Sequence, residues 1–221
     1  MHFAVDADVF MQVVRPALEQ SDMEMLDRLV RTRWRPRQLA HLLKDDDVGI
    51  RRVAALTLGI VGNSTVIGCL ARALADPDDQ VHRAAEQGMW SIWFRGCNLE
   101  ALRPFRDGME LLGTHSYGRA VERFELAARV DPKFSEAHNQ CAIAHYLLSQ
   151  WRESLRSCGN AVRLMPTHFG AISGMGHCLM ELDEPARALR CYQGALRINP
   201  RMDTVAHTAR HLETVLRRVA P

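Results

Sequence analysis

The feature that most constrains this chain is a repeat in its C-terminal half. The segments "RVDP", "RLMP" and "RINP" end at Pro132, Pro166 and Pro200, so a proline returns twice at one constant spacing. A period of about 34 residues is typical of paired helices that stack into a solenoid, because one helix pair cannot bury its apolar face alone. The sequence therefore predicts an all-α chain of roughly thirteen helices without a sheet.

Superposing the three segments aligns small residues in three registers and larger residues in two others. The small residues are Gly108, Ala142 and Gly176; Ala120, Ser154 and Ala188; and Ala127, Ala161 and Ala195. The larger residues are Phe124, Cys158 and Tyr192, and Tyr117, Trp151 and Pro185. Small side chains recur where helices approach closely, since longer ones would strain the contact. The larger ones are predicted to fill the space between successive helix pairs.

Residues 101–200 resemble the tetratricopeptide repeat (TPR), because the period, the proline and the small-residue registers agree together. The resemblance implies a right-handed α-solenoid with repeats at about 101–134, 135–168 and 169–202, closed by a capping helix at 203–219. Two departures carry further predictions. Pro104 inside the first helix predicts that the first repeat starts late. His145 and Cys158, which stand where larger residues are usual, predict a loosely packed second repeat.

A second and slightly shorter period lies upstream, where "LAHLLKDDDVGIRRVAALTL" superposes on "LARALADPDDQVHRAAEQGM", with Leu39 aligned on Leu70. These segments resemble short HEAT-type repeats, also seen in phycobilin-lyase-like proteins. The resemblance implies a HEAT-like domain over 1–97 and a TPR domain over 98–221.

Carboxylates and hydroxyls stand where the helices of the HEAT-like segment are predicted to begin. The acidic runs at 45–47 and 76–79 are predicted to cap helices rather than to bind a metal. In a further, degenerate unit before them, Asp6 is predicted to cap one helix, and Ser21 with Glu24 to form a capping box for the next.

The predicted junction between the domains is short. Asn98 can cap the first TPR helix, and Trp90, Trp93 and Phe94 stand just before it. These aromatics are predicted to cover the last apolar face of the HEAT-like array against the next helix. The alternative is an aromatic ligand-binding patch.

The stretch "RTRWRPR", Arg31 to Arg37, concentrates four arginines in a chain of net charge +2. Pro36 suits the first turn of a helix, and arginines are favourable at a helix end, so the stretch is predicted to be a helix boundary. Contact with nucleic acid is the alternative. Residues 1–100 carry 12 Arg and Lys against 14 Asp and Glu, which argues against a dedicated phosphate-binding domain.

Motifs of enzymes and metal sites are absent from the sequence: it contains no Walker loop, G-x-S-x-G, H-E-x-x-H or zinc-spaced cysteine set. We therefore expect no enzymatic activity, no cofactor and no metal. The six cysteines include no C-x-x-C pair and are predicted to be reduced packing residues of a cytoplasmic protein. Cys141 and His145 lie one helical turn apart, as do His207 and His211, and the second spacing can hold a metal. His177 is predicted on the same inner surface as His207 and His211, which would bring three histidines together. Polar groove residues are favoured there over a metal site.

No membrane insertion is expected either. The N-terminal stretch has no basic leader, and the uncharged run 53–71 breaks at Gly62 to Thr65, which predicts two buried helices.

The resemblance implies that this chain binds another protein. In TPR proteins the ligand lies in the concave groove lined by the first helix of each repeat. Carried onto this sequence, the lining is Phe105, Met109, Leu112, Asn139, Ile143, Tyr146, Ser173, His177 and Met180.

The groove residues indicate what kind of partner to expect. Chaperone-binding members clamp a C-terminal carboxylate with Lys, Asn and Arg, and this basic set is missing here. The apolar, partly aromatic groove suits an extended peptide or an amphipathic helix, from another protein or from a second copy of this chain. A nucleic-acid binder using Arg31 to Arg37 and a chromophore-binding or lyase-like HEAT protein are the alternatives.

Overall fold

The computed structural model describes residues 5–95 and 97–219, and it contains thirteen α-helices and no strand within those ranges. The chain packs into two compact units, residues 1–95 and 96–221. The predicted all-α repeat fold is confirmed. None of the helices in the described ranges is long and apolar enough to cross a membrane.

The N-terminal unit consists of short helices joined by tight turns. Its helices are α1 (Ala7–Glu19), α2 (Met23–Arg31), α3 (Pro36–Leu39), α4 (Val48–Val61), α5 (Ile67–Ala73) and α6 (Asp79–Arg95). Two 3₁₀ segments, Ala40–Lys44 and Ser64–Val66, precede α4 and α5. The uncharged run 53–71 therefore belongs to two helices, α4 and α5, as predicted.

Carboxylates begin most of these helices, because they accept from amides that have no partner within the helix. Asp6 accepts from Val9 N at 3.0 Å, Asp47 from Ile50 N at 3.1 Å and Asp78 from Val81 N at 3.1 Å. The capping role of Asp6 and of the acidic turns is confirmed.

The predicted capping box of Ser21 with Glu24 is wrong. Asp22 caps α2 by accepting from Met25 N at 2.8 Å, while Ser21 has φ of 53° in the turn before it. Aspartate caps a helix as well as serine does, so two adjacent candidates left the helix start ambiguous by one position.

Two polar contacts connect successive helix pairs of this unit. Arg51 of α4 forms a two-pronged salt bridge with Asp76, with Nε–Oδ2 and Nη2–Oδ1 distances of 2.8 and 3.1 Å. Arg95 of α6 donates to the carbonyl oxygens of Gly59 and Gly62. Helix α6 approaches α4 so closely that a Cβ on Gly59 would lie 2.8 Å from the Cα of Gly88.

The C-terminal unit repeats its helices with the spacing seen in the sequence. They are α7 (Leu99–Gly113), α8 (Tyr117–Val130), α9 (Ser135–Leu147), α10 (Trp151–Leu164), α11 (Phe169–Glu181), α12 (Pro185–Ile198) and α13 (Asp203–Val219). The core of α13, Val205, Ala209 and Leu212, packs against Leu179, Ala188 and Tyr192, as a capping helix does.

The first of these helices begins where Asn98 predicts. The Asn98 side chain accepts from Glu100 N at 2.9 Å, so its capping role is confirmed. The prediction that Pro104 delays the first repeat is wrong, because α7 runs through it. Pro104 removes one backbone hydrogen bond, whereas the same helix buries Ala101, Phe105 and Gly108.

Close packing between the two helices of a repeat explains the small-residue register. A Cβ on Gly108 would lie 2.7 Å from a ring carbon of Phe124, and one on Gly176 would lie 2.5 Å from a ring carbon of Tyr192. In the first and third repeats, therefore, an aromatic ring occupies the space beside a glycine. The second repeat has Ala142 and Cys158 at these positions.

Candidate functional site

A cavity of about 260 Å³ lies in the C-terminal unit, among α9, α10 and α11. Its lining comes from the second repeat and the first helix of the third. The lining residues are Asn139, Ala142, Ile143, Tyr146, Leu147, Ser154, Cys158, Gly170, Ser173, Gly174 and His177. The cavity is mostly apolar and open to solvent on one side, as ligand pockets commonly are.

The small residues of the second repeat account for this space. Cys158 and Ala142 stand where the first repeat has Phe124 and Gly108, so no ring fills the gap beside α9. On the opposite wall Gly174 has no side chain, and a Cβ there would lie 3.0 Å from the Cys158 Sγ. This cavity agrees with the looser packing expected of the second repeat.

The structure brings five of the nine predicted groove residues together around this cavity. They are Asn139, Ile143, Tyr146, Ser173 and His177. Met109 and Met180 are 39% and 36% exposed on the same series of first helices, and Leu112 is half-buried. Phe105 is 6% exposed, and its ring packs 5.6 Å from that of Phe124 and 4.9 Å from that of Phe134. It therefore lies in an aromatic core and offers little surface to a ligand.

Aromatic rings form one wall of the cavity. The Tyr146 ring lies 4.8 Å from the Trp151 ring and 6.4 Å from the His177 ring. Tyr146 donates to Glu181 at 3.3 Å, and the Tyr192 hydroxyl lies 2.9 Å from His177 Nδ1. Burial lowers the pKa of His177, so this histidine is neutral around pH 7.

A buried polar network that the sequence pattern does not predict adjoins the cavity through Asn139. Glu136 accepts from Asn139 Nδ2 at 3.1 Å and from Gln140 Nε2 at 2.7 Å, and its other oxygen lies 2.9 Å from His168 Nε2. His168 Nδ1 accepts from Ala171 N at 3.2 Å, so the Nε2 hydrogen of a neutral ring points to Glu136. The sequence held a signal, since one repeat earlier the apolar Leu102 and Phe134 occupy the positions of Glu136 and His168.

All six cysteines are free thiols, as predicted. Cys178 donates to Ser154 Oγ at 3.0 Å, and Ser154 in turn donates to the Ala142 carbonyl at 2.7 Å. A hydrogen bond with Cys178 and burial together raise the pKa of the Cys158 thiol. The thiol beside the cavity is therefore protonated and unreactive.

The arginine-rich stretch lies at a helix boundary, as predicted. Helix α2 ends at Arg31 and α3 begins at Pro36. Arg31 pairs with Asp27 at 2.7 Å, and Arg33 donates to the Leu29 carbonyl at 3.3 Å. Arg35 and Arg37 line a cavity of about 460 Å³ in the N-terminal unit.

The aromatic residues at the end of α6 contact one another. The Trp90 and Trp93 rings are 4.7 Å apart and nearly perpendicular, and the Phe94 ring lies 6.5 Å from that of Trp90. Their role as a cover for the HEAT-like array stays a prediction.

Comparison with known proteins agrees with both repeat types. The family of HEAT repeats matches residues 25–90. A TPR repeat-containing protein of Rhizobium etli is 26% identical over 81 residues, which make up 37% of this chain and 40% of that relative. The match thus spans less than half of the relative's length.

Solved TPR domains match about half of this chain. The Sgt2 TPR domain from Aspergillus fumigatus has a TM-score of 0.53 and 14% identity, over 56% of this chain and 83% of that one. The first TPR of Spaghetti (RPAP3), bound to the HSP90 peptide SRMEEVD, has a TM-score of 0.52 and 20% identity, over 54% and 96%. The TPR2B domain of yeast Sti1, in a pHsp70 complex, has a TM-score of 0.50 and 15% identity, over 53% of this chain and 98% of that one. Identities this low show the fold alone, and that fold is the TPR.

Proposed function

We propose that this helical repeat protein, with its HEAT-like segment and TPR fold, is a non-enzymatic interaction module. It binds a peptide or an amphipathic helix of another protein in the groove formed by the first helices of its TPR repeats. The cavity lined by Ile143, Tyr146 and His177 receives an apolar side chain of that partner. This open apolar cavity is the observation that carries the proposal.

Exposed apolar side chains near the cavity support a protein partner. Ile143 is 39% exposed and Leu147 47%, and both line it. Met109 and Met180 extend the exposed apolar surface to the first helices of the repeats on either side. Protein interfaces commonly bury such apolar and aromatic residues around one anchor that fills a pocket.

The polar groups at the cavity suit the backbone of a bound segment. Glu136 holds the Asn139 amide in one orientation, which leaves the Asn139 carbonyl oxygen to accept a hydrogen bond. An amide that is already oriented loses little entropy when a ligand binds.

The charge around the cavity disfavours an acidic ligand. The cavity lining contains no lysine or arginine among the described residues, and Glu181 lies against Tyr146 at its edge. An acidic peptide such as SRMEEVD, bound by the first TPR of Spaghetti, would find no cation in this lining. The favoured ligand is therefore an apolar segment without flanking carboxylates.

A peptide library displayed on phage, selected against the full chain, tests this function. A variant that fills the cavity, Ala142→Gly with Cys158→Phe, reproduces the glycine and phenylalanine of the first repeat. We expect the selected peptides to share a large apolar residue, to lack acidic tails and to lose binding to this variant. Enrichment of acidic C-terminal sequences, or equal binding to the filled variant, would overturn the proposal.

Two further variants locate the binding surface. Ile143→Asp with Tyr146→Ala should abolish binding of the selected peptides, because a desolvated carboxylate replaces one anchor and the other is lost. Arg33→Ala with Arg35→Ala should leave binding unchanged. Circular dichroism must show intact helices in both. If the arginine variant lost binding and the groove variant kept it, the interaction would belong to the N-terminal unit.

A second copy of this chain is the other occupant that this groove could take. Sedimentation analysis of the full chain distinguishes it, since self-association through the groove should disappear in the Ile143→Asp, Tyr146→Ala variant.

A further inference from the structure

A mixed set of metal-binding side chains lies in the C-terminal unit outside the cavity lining. Three potential donor atoms lie within 4.8 Å of one another, one each from Glu125, Cys141 and His145. From this geometry we infer that these three residues form a binding site for a transition-metal ion of the zinc class. The site is independent of the proposed peptide groove.

The fold explains why the three residues meet. Cys141 and His145 stand one turn apart on α9, so they project from the same face of that helix. Helix α8 packs against α9 and brings Glu125 to that face. The sequence alone shows only the pair on α9, at one-turn spacing. The third donor comes from another helix, and only the fold places it beside the pair.

The donor types fit zinc better than magnesium or calcium. Thiolate, imidazole and carboxylate are the three protein ligands that zinc takes, whereas magnesium and calcium require oxygen. Zinc lies about 2.3 Å from sulfur and about 2.0 Å from nitrogen, so donors this close need only a small inward movement to share one ion. A thiolate and a carboxylate also neutralise the two charges of the ion.

Neighbouring groups orient the donors. Gln150 Oε1 lies 2.7 Å from His145 Nδ1 and accepts its hydrogen, which leaves Nε2 as the metal-binding nitrogen. Ser157 donates to Cys141 Sγ at 4.0 Å. An adjacent cavity of about 330 Å³, lined by Glu125 and Cys141 among others, has room for water as a fourth ligand.

The ion pair that a metal must replace at Glu125 is weak. Glu125 pairs with Arg129 at 3.7 Å, but the two side chains are 52% and 66% exposed, and exposed pairs contribute little.

Titration of the purified full chain with Co²⁺, followed by displacement with Zn²⁺, tests the site. Thiolate bound to cobalt gives a charge-transfer absorption in the near ultraviolet, and tetrahedral cobalt gives intense visible bands. We expect both, at one cobalt ion per chain, and their loss when zinc is added. Cys141→Ser should remove the charge-transfer absorption. Glu125→Gln and His145→Gln should each weaken cobalt binding by about tenfold or more, since even the loss of a residue that only orients a metal ligand has an effect of that order.

The matched control is His207→Gln with His211→Gln, which removes the other pair of histidines one turn apart on a helix. It should bind cobalt like the parent chain. Cys141 is buried, so Cys141→Ser could unfold the unit, whereas Glu125 is exposed and Glu125→Gln keeps the test valid. The site is disproved if the parent chain gives no thiolate absorption, if Cys141→Ser retains it, or if Glu125→Gln and His145→Gln bind cobalt as tightly as the parent.

Discussion

The two units connect their helices in different ways. In the N-terminal unit the Arg51 and Asp76 side chains pair between the two repeats, with 13% and 9% of their surface exposed. In the C-terminal unit a ring packs against a glycine, as Phe124 does against Gly108. A charged pair needs both partners, because either one alone is left desolvated. The stability that a packing contact contributes varies gradually with the volume of its side chains. A TPR-like repeat can therefore lose its ring and still fold.

Within the C-terminal unit, the second repeat is the one that lacks the ring. Cys158 replaces the ring, and Glu136 with His168 replaces the apolar pair Leu102 and Phe134 of the first repeat. Both changes lie beside the cavity that we assign to ligand binding. We expect the repeats and the two units to differ in energy as they differ in packing.

The largest effect is expected where a ring fills the contact. Phe124 is fully buried, so Phe124→Ala should lower the free energy of unfolding by about 4 kcal/mol. Cys158→Ala, at the matched position, should cost about 1 kcal/mol, because it removes one atom beside an existing cavity. Urea denaturation followed by circular dichroism measures both. Equal losses would contradict the ring-to-glycine account of the repeats.

A somewhat smaller loss is expected at the buried polar pair. Glu136 and His168 are 1% and 0% exposed. His168→Ala should cost about 3 kcal/mol, because it leaves the Glu136 carboxylate with one partner fewer and α11 without its cap. Urea denaturation of the full chain measures the loss.

The control for this prediction installs the pair of the first repeat. His168→Phe with Glu136→Leu should recover most of the stability, since a well-packed apolar pair can replace a buried polar one. If the double variant were as unstable as His168→Ala, the position would require polar groups for a reason other than their mutual contact.

In the N-terminal unit the salt bridge between repeats is the contact to break. Arg51→Ala should lower the free energy of unfolding by about 2 kcal/mol. The Asp76 carboxylate would lose its partner, and it is too buried for water to take the place of the guanidinium. Hydrogen exchange should show faster opening of residues 1–95 and unchanged protection in the C-terminal unit.

The control for Arg51 is Arg31, whose salt bridge has a similar length but is more exposed to solvent. Arg31 lies 2.7 Å from Asp27, and these side chains are 51% and 38% exposed. Arg31→Ala should leave exchange close to that of the parent chain. Equal effects of the two substitutions would show that burial of the Arg51 pair adds nothing.

The period of the sequence accounts for most of the fold, and the limits of prediction lie where contacts join distant residues. The repeat of the sequence matches the repeat of the helices, since Tyr117, Trp151 and Pro185, which share one register, are the first residues of α8, α10 and α12. The small Cys158, at a position where larger residues are usual, predicts that the second repeat is loosely packed. It cannot give the shape of the resulting space, which also depends on Gly174 from another helix.

The features that the sequence does not predict have local causes. Phe105 occupies a groove position in the repeat, yet Phe134, from the turn between α8 and α9, covers it. The position in the repeat indicates which way a side chain faces, but not which residue packs over it. The contact of Glu136 with His168 and the approach of Glu125 to Cys141 join residues on different helices. Periodicity places such residues in order along the chain, but only packing brings them together.

The smallest predicted effect concerns the turns, where the units differ again. In the C-terminal unit His115, Ser149 and Asp183 recur at the same position of each repeat, between its two helices, and have φ of 59°, 60° and 58°. In the described part of the N-terminal unit, Ser21 is the one such non-glycine residue. A left-handed conformation costs an L-residue about 1 to 2 kcal/mol, and glycine avoids this cost but gains freedom in the unfolded chain.

Ser149→Gly should therefore raise the free energy of unfolding by a few tenths to about 1 kcal/mol, since relief of the Cβ contact outweighs the added entropy of the unfolded state. Ser149 is exposed, so its hydroxyl loses no buried contact when it is removed. Ser149→Ala keeps the Cβ and should give no gain, whereas Asp183→Gly should repeat the gain in the third repeat. Urea denaturation of the three variants measures the difference, and glycine no more stable than alanine at 149 would mean that the turn stores no strain.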